Sequence, residues 1–209
     1  MKFFNLIFIC TLLLFNAENT EARKLTKEEK KKLREIIQSI GKQKISYGKK
    51  WKPPGSDTEL SMDCSNTAKY LYQAPFGVTL PRSAYDQYDL VSKTGGLHTV
   101  PTLADKSVDI EKLKKKLKSG DLLFWIDTHS EIPSDRSPSI GHVMIFLGKT
   151  KSGKMKMGGA GTFGKGEYNL NGGVDIYPFN PNDFQGCVKD SSKKCIRNSK
   201  FIGFGKPPF

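Results

Sequence analysis

Met62-Asp63-Cys64-Ser65-Asn66-Thr67-Ala68-Lys69-Tyr70-Leu71-Tyr72 decides how this chain is read. The stretch has the pattern of a tight turn feeding a helix, with Cys64 at or beside the first helical residue. Ala68, Leu71 and Tyr72 follow at spacings of three and four, so one helical face packs inward, and Pro75 is expected to end the run. A thiol in this position meets the unpaired N–H groups and the positive dipole end of the helix, both of which favour the thiolate, the nucleophilic form. The competing reading is a free cysteine serving as a small buried hydrophobe.

Upstream, the first residues bear on the compartment. Lys2, an apolar run from Phe3 to Phe15 and the sequence Asn16 to Ala22 describe a secretory signal peptide over residues 1–22, too short in its apolar core to span a bilayer. The expectation is therefore a secreted or periplasmic protein with no stable membrane insertion after signal cleavage. Removing Cys10 leaves Cys64, Cys187 and Cys195, an odd number for an oxidising compartment. Cys187 and Cys195 flank a polar loop and are expected to pair, leaving Cys64 as the single free thiol. The formal charge of +13 suits an anionic partner, and nucleic acid, membrane lipid and bacterial cell-wall polymers all qualify. No zinc-finger spacing, phosphate loop or RNA-binding signature accompanies it, so nucleic acid is not expected.

Downstream of the leader, Thr26 and Glu29 have capping-box spacing. Leu33, Ile36, Ile37 and Ile40 form one apolar stripe, and Gly41 is a stop signal, giving a helix within residues 23–44 that packs on the main domain, residues 45–209. Tyr47 to Gly55 is an aromatic, basic loop with two prolines. A turn and a second short helix follow over Gly77 to Tyr88, Val91 to Pro101 is expected to be loop, and Val108 to Leu117 has helical spacing. Leu122 to Ile126 and Gly141 to Gly148 are the two clear strands, and Met155 onward is expected to return as a hairpin partner. Gly173 to Tyr177 and Phe201 to Phe204 supply further strands. Helices first and strands second argue for an α+β fold with an antiparallel sheet.

A cysteine nucleophile needs a base, and histidine is the usual one. The chain has His98, His129 and His142. Only His142 opens an apolar strand, downstream of a helix-borne cysteine, an order found in papain-like hydrolases. Asp63-Cys64-Ser65, Leu80-Pro81-Arg82-Ser83 with Asp86-Gln87, Gly120 to Phe124, and His142-Val143 with Ile145 and Leu147-Gly148 together resemble the successive motifs of NlpC-type cell-wall peptidases. The resemblance covers Ile45 to Phe204. It implies a papain-like fold with N-terminal helices packed on a central antiparallel sheet, Cys64 as nucleophile and His142 as general base and acid. It further implies that Tyr47, Asp63 and Ser65 bind substrate, with Asp63 taking a free amine of a peptidoglycan stem peptide. Arg82 is expected to brace the fold.

The chain departs from the family in one place. A third polar residue usually orients the imidazole from the following strand, and here the matching position falls near Gly159, which has no side chain for that task. Thr162, Asn169, Asn171, His129 or a backbone carbonyl are the possible substitutes. The leading expectation is an amide hydrolase acting on peptidoglycan or muropeptides. The alternatives are a thiol acyltransferase or amidase on another amide, and a catalytically silent wall-binding module. No cofactor is expected. No metal is expected either, since neither His-x-x-x-His nor Cys-x-x-Cys spacing occurs.

Overall fold

The computed structural model describes residues 23–162 and 166–208; the expected signal peptide lies outside the described residues. Helix α1 (Lys27–Gly41) begins as its capping box requires: Thr26 Oγ1 accepts the Glu29 N–H and the Glu29 carboxylate accepts the Thr26 N–H. Leu33, Ile37 and Ile40 are buried against the domain, each contributing about 2 kcal/mol of apolar burial. Strands β1 (Lys50–Trp51) and β2 (Leu60–Ser61) form a small hairpin before α2 (Cys64–Phe76).

Pro75 does not end α2, contrary to the sequence reading. It sits in the last turn, where a missing N–H forfeits a single ladder bond, and the chain leaves the helix two residues later through Gly77 at φ +70°. Helix α3 (Ala84–Lys93) starts on Ser83, whose hydroxyl accepts the Asp86 N–H. The stretch read as loop from Val91 holds the end of α3 and a short edge strand, β3 (Leu97–Thr99). Both are short and poorly periodic, which is why pattern alone passes over them.

Helix α4 (Ile110–Lys116) is followed by β4 (Leu122–Ile126), β5 (Ile140–Lys149), β6 (Met155–Gly161) and β7 (Gly173–Pro178). A hairpin of β8 (Cys187–Lys189) and β9 (Cys195–Asn198) precedes β10 (Lys200–Gly205). Cys187 and Cys195 are disulfide-bonded, with Cα atoms 5.7 Å apart, and Cys64 is the free cysteine among the described residues. The main sheet is antiparallel in the order β3-β10-β4-β5-β6-β7.

Two cores flank this sheet. On one face α1, α2 and α3 pack against Phe124, Val143, Ile145 and Ile176. On the other, Leu113 and Leu117 join Trp125, Met144, Phe146, Phe179, Phe201 and Phe204. This arrangement is the α+β architecture expected of a papain-like domain, with helices packed on a central antiparallel sheet. It presses the N-terminus of α2 against the start of β5.

Candidate active site

Asp63 caps α2 by accepting the Asn66 N–H at 2.8 Å, which fixes Cys64 as the first helical residue. The helix delivers the thiol to one end of β5, where the strand is irregular. Trp125 pairs with His142 and Ile126 pairs with Ile140, so Gly141 is the extra residue of a β-bulge. Bulges of this kind bend a strand and re-aim the groups beside them. Cys64 Sγ lies 3.9 Å from Gly141 O and also faces the Val143 N–H. A side chain at 141 has no room: a Cβ there would come within 2.2 Å of Thr128 Oγ1 and 2.7 Å of Ile132 Cδ1.

Around Cys64 a cleft of ≈ 200 Å³ opens, lined also by Tyr47, Asp63, Ser65, Arg82 and His129. The Tyr47 hydroxyl lies against both the Cys64 thiol and its backbone N–H. Arg82 takes the place that the sequence reading reserved for a substrate amine. Its guanidinium forms an ion pair with the Asp63 carboxylate and donates to Ser65 Oγ at 2.8 Å. Arg82 therefore braces the site as expected, and it also lines the cleft. Gln87 ties α3 to this turn by donating to Ser65 O and Pro81 O, each at 2.9 Å.

The loop from Asp127 to Ser139 walls the other side. Arg136 from this loop lies over the Tyr85 ring, 5.3 Å from its centroid, and lines the cleft. The contact joins two segments far apart in the chain, since Tyr85 belongs to α3, and the linear order conceals it.

His142 stands behind this wall. Its ring is buried and meets Trp125 edge-on, with centroids 5.7 Å apart, and Nε2 has no hydrogen-bond partner. Among the described residues no hydrogen bond joins Cys64 to His142. Gly159 supplies no orienting group, and the space beside it is taken: a Cβ there would lie 2.6 Å from Met144 Sδ. Among the described residues no hydrogen bond joins the imidazole to Thr162, Asn169, Asn171 or His129 either. Asn169 is engaged with the β7 turn, its N–H bonded to Asp175 and its side chain to the Asn171 N–H. His129 is close enough to perturb His142 electrostatically without bonding to it.

The electrostatics follow from burial. It pushes the Cys64 thiol up, outweighing the Tyr47 hydroxyl and the N–H groups of Val143 and Ser65 that favour the thiolate. Burial, followed by repulsion from His129, holds His142 down to about 4. The free protein at neutral pH thus keeps both the Cys64 thiol and the His142 imidazole neutral, where the helix N-terminus alone favours a thiolate.

A model of the NlpC/P60 family matches residues 47–160, more than half of the chain. The chain belongs to the NlpC/P60 family. The matched span runs from Tyr47 through Cys64 and His142 to the strand bearing Gly159, so it covers every element of the cleft described above. This NlpC/P60 domain carries the general character of cell-wall peptidases and hydrolases, typically cysteine peptidases or amidases. No curated protein matches the chain. Among the described residues no group of three histidine, cysteine, aspartate or glutamate side chains is arranged to hold a metal ion.

Proposed function

We propose that this protein is an exported cysteine hydrolase that cleaves an amide bond in peptidoglycan stem peptides. The carrying observation is the position of its free thiol, at a helix N-terminus and inside a cleft, with a tyrosine hydroxyl over it and arginines at its edges. In this reading His142 takes the thiol proton as Cys64 Sγ attacks the substrate carbonyl carbon. The developing oxyanion is held by the Cys64 N–H and the Tyr47 hydroxyl. The C–N bond then breaks as His142 returns the proton to the leaving amine, and water hydrolyses the thioester. The imidazole must come within hydrogen-bond distance of Sγ on binding, an adjustment common between free and substrate-bound enzymes.

Arg82 and Arg136 make the cleft suited to a substrate with a free carboxylate near the scissile bond, a property of stem peptides. Asp63, already paired with Arg82, and Ser65 shape the same subsite. Digestion of purified sacculi with this protein, followed by mass spectrometry, tests the proposal: soluble fragments are expected, and their masses name the bond. Intact sacculi and unaltered muropeptides after prolonged incubation overturn it.

The unpartnered Nε2 of His142 favours a second reading, a wall-binding module without turnover. Its signature is equal retention of wild type and Cys64→Ser on sacculi, with no soluble product from either.

A further inference from the structure

At the opposite end of β5 from Cys64 lies a second recess, of ≈ 270 Å³. Gly141 and Gly148 are seven residues apart, so about 23 Å of strand separates the two sites. Five lysines from four segments line it: Lys24 and Lys30 around the start of α1, Lys118 after α4, Lys149 at the end of β5, and Lys206 after β10. No acidic side chain lines it. Among the described residues none of the five takes part in an ion pair. Lys118 and Lys149 donate to the carbonyls of Lys115 and Lys114.

Lys206 is the informative member. It is 6% exposed, and its ammonium has one long contact, 3.5 Å to Arg23 O. Gly120 makes room for its stem, since a Cβ there would lie 3.3 Å from Lys206 Cε. The nearby Asp121 carboxylate accepts the Lys118 N–H at 2.7 Å and forms no ion pair with Lys206. Asp121 offsets this buried cation only through space, without an ion pair, and four like charges surround it, so the recess keeps an excess of positive charge that a bound anion relieves.

We propose that this recess is an anion site that takes the phosphate groups of a linear, base-free polyol phosphodiester polymer. Ammonium groups converging from several directions act as point charges and suit a tetrahedral oxyanion, whereas planar carboxylates are matched by the arginine fork. Lys112, Lys115 and Lys116 add positive charge along α4, where Lys114 is ion-paired with Glu111, so further phosphates of a chain find further charges. The apolar residues of the recess, Leu25, Leu117 and Phe146, are buried in its floor, and none stands at the rim to enter a bilayer. No exposed aromatic lines it for base stacking. The site is independent of Cys64 chemistry, so its test does not depend on hydrolysis.

The test is calorimetric titration of the full chain with a defined glycerol-phosphate oligomer. Lys24→Gln, Lys30→Gln and Lys118→Gln together are expected to weaken binding about tenfold or more. Lys106→Gln, Lys193→Gln and Lys194→Gln remove the same charge at exposed positions outside the recess and are expected to change binding less than about threefold. Lys206→Gln alone is expected to weaken binding, and Cys64→Ala to leave it unchanged. Equal losses from the two triple variants overturn the proposal in favour of diffuse charge. Equally tight binding of wild type to poly-glutamate, single-stranded DNA or phosphatidylglycerol vesicles overturns it as well.

Discussion

The imidazole of His142 and the indole of Trp125 meet edge to face, 5.7 Å between centroids, and neither His142 Nε2 nor Trp125 Nε1 has a hydrogen-bond partner. The pair lies on the aromatic side of the sheet with Phe179 and Phe201, an environment that disfavours an imidazolium.

That environment makes stability depend on pH. His142 falls from 6.5 to about 4 on folding, so between those values the unfolded chain binds the proton first and the fold loses stability as pH drops. The loss amounts to about 3 kcal/mol over the whole window. Asp121 acts with the opposite sign: burial pushes it up to about 6 from 3.8, so the folded chain takes that proton first and gains stability as pH falls through this range. His142→Phe removes the first contribution and keeps the second. Urea unfolding is expected to show His142→Phe gaining on wild type between pH 7.5 and 4.5; a gap that does not change with pH contradicts this.

Alkylation reports the protonation of Cys64 directly. With the thiol raised above its ordinary value of 9.0, iodoacetamide is expected to react slowly at neutral pH and faster as pH rises past that value. A fast, flat rate from pH 5 to 8 would instead mark a thiolate–imidazolium pair.

Arg82 and Asp63 form a partly exposed ion pair, with side-chain exposures of 54% and 21%. Solvent screening limits its stability worth to about 1 kcal/mol or less. Arg82→Ala is therefore expected to leave the thermal midpoint nearly unchanged while lowering kcat/KM by about tenfold or more, since it removes a cleft charge and releases Asp63 and Ser65. Asp63→Ala removes the helix cap as well and is expected to cost about 1 kcal/mol of stability. Unaltered kinetics in Arg82→Ala confine that residue to a bracing role.

Gly141 tests the bulge. Gly141→Ala forces a methyl into Thr128 and Ile132, and overpacking of this kind costs about 1–3 kcal/mol. Thermal unfolding is expected to show that loss together with reduced turnover, because the 127–139 wall is displaced next to Cys64. An unchanged melting temperature would show that the loop yields freely.

Much of this was legible in the linear order, for physical reasons. The capping box at Thr26 and Glu29, the stripe through Leu33, Ile37 and Ile40, and the apolar runs of β4 and β5 are local patterns, and each formed where its pattern stood. The vacancy of a side chain at Gly159 was visible for the same reason. What filled the space was not, since Met144 comes from the neighbouring strand β5. Short β3 and the helical last turn through Pro75 depend on tertiary packing. At Cys64 the helix N-terminus that favours a thiolate is readable from sequence, whereas the burial that pushes the thiol up is a property of the assembled cleft.

The most direct test of the central claim is intact-mass spectrometry of the protein acid-quenched during turnover of a defined muropeptide. An adduct equal to the acyl half of the substrate, mapped to Cys64 and absent in Cys64→Ala, is the predicted result. Released products with no adduct on Cys64, together with undiminished cleavage by Cys64→Ala, would contradict it.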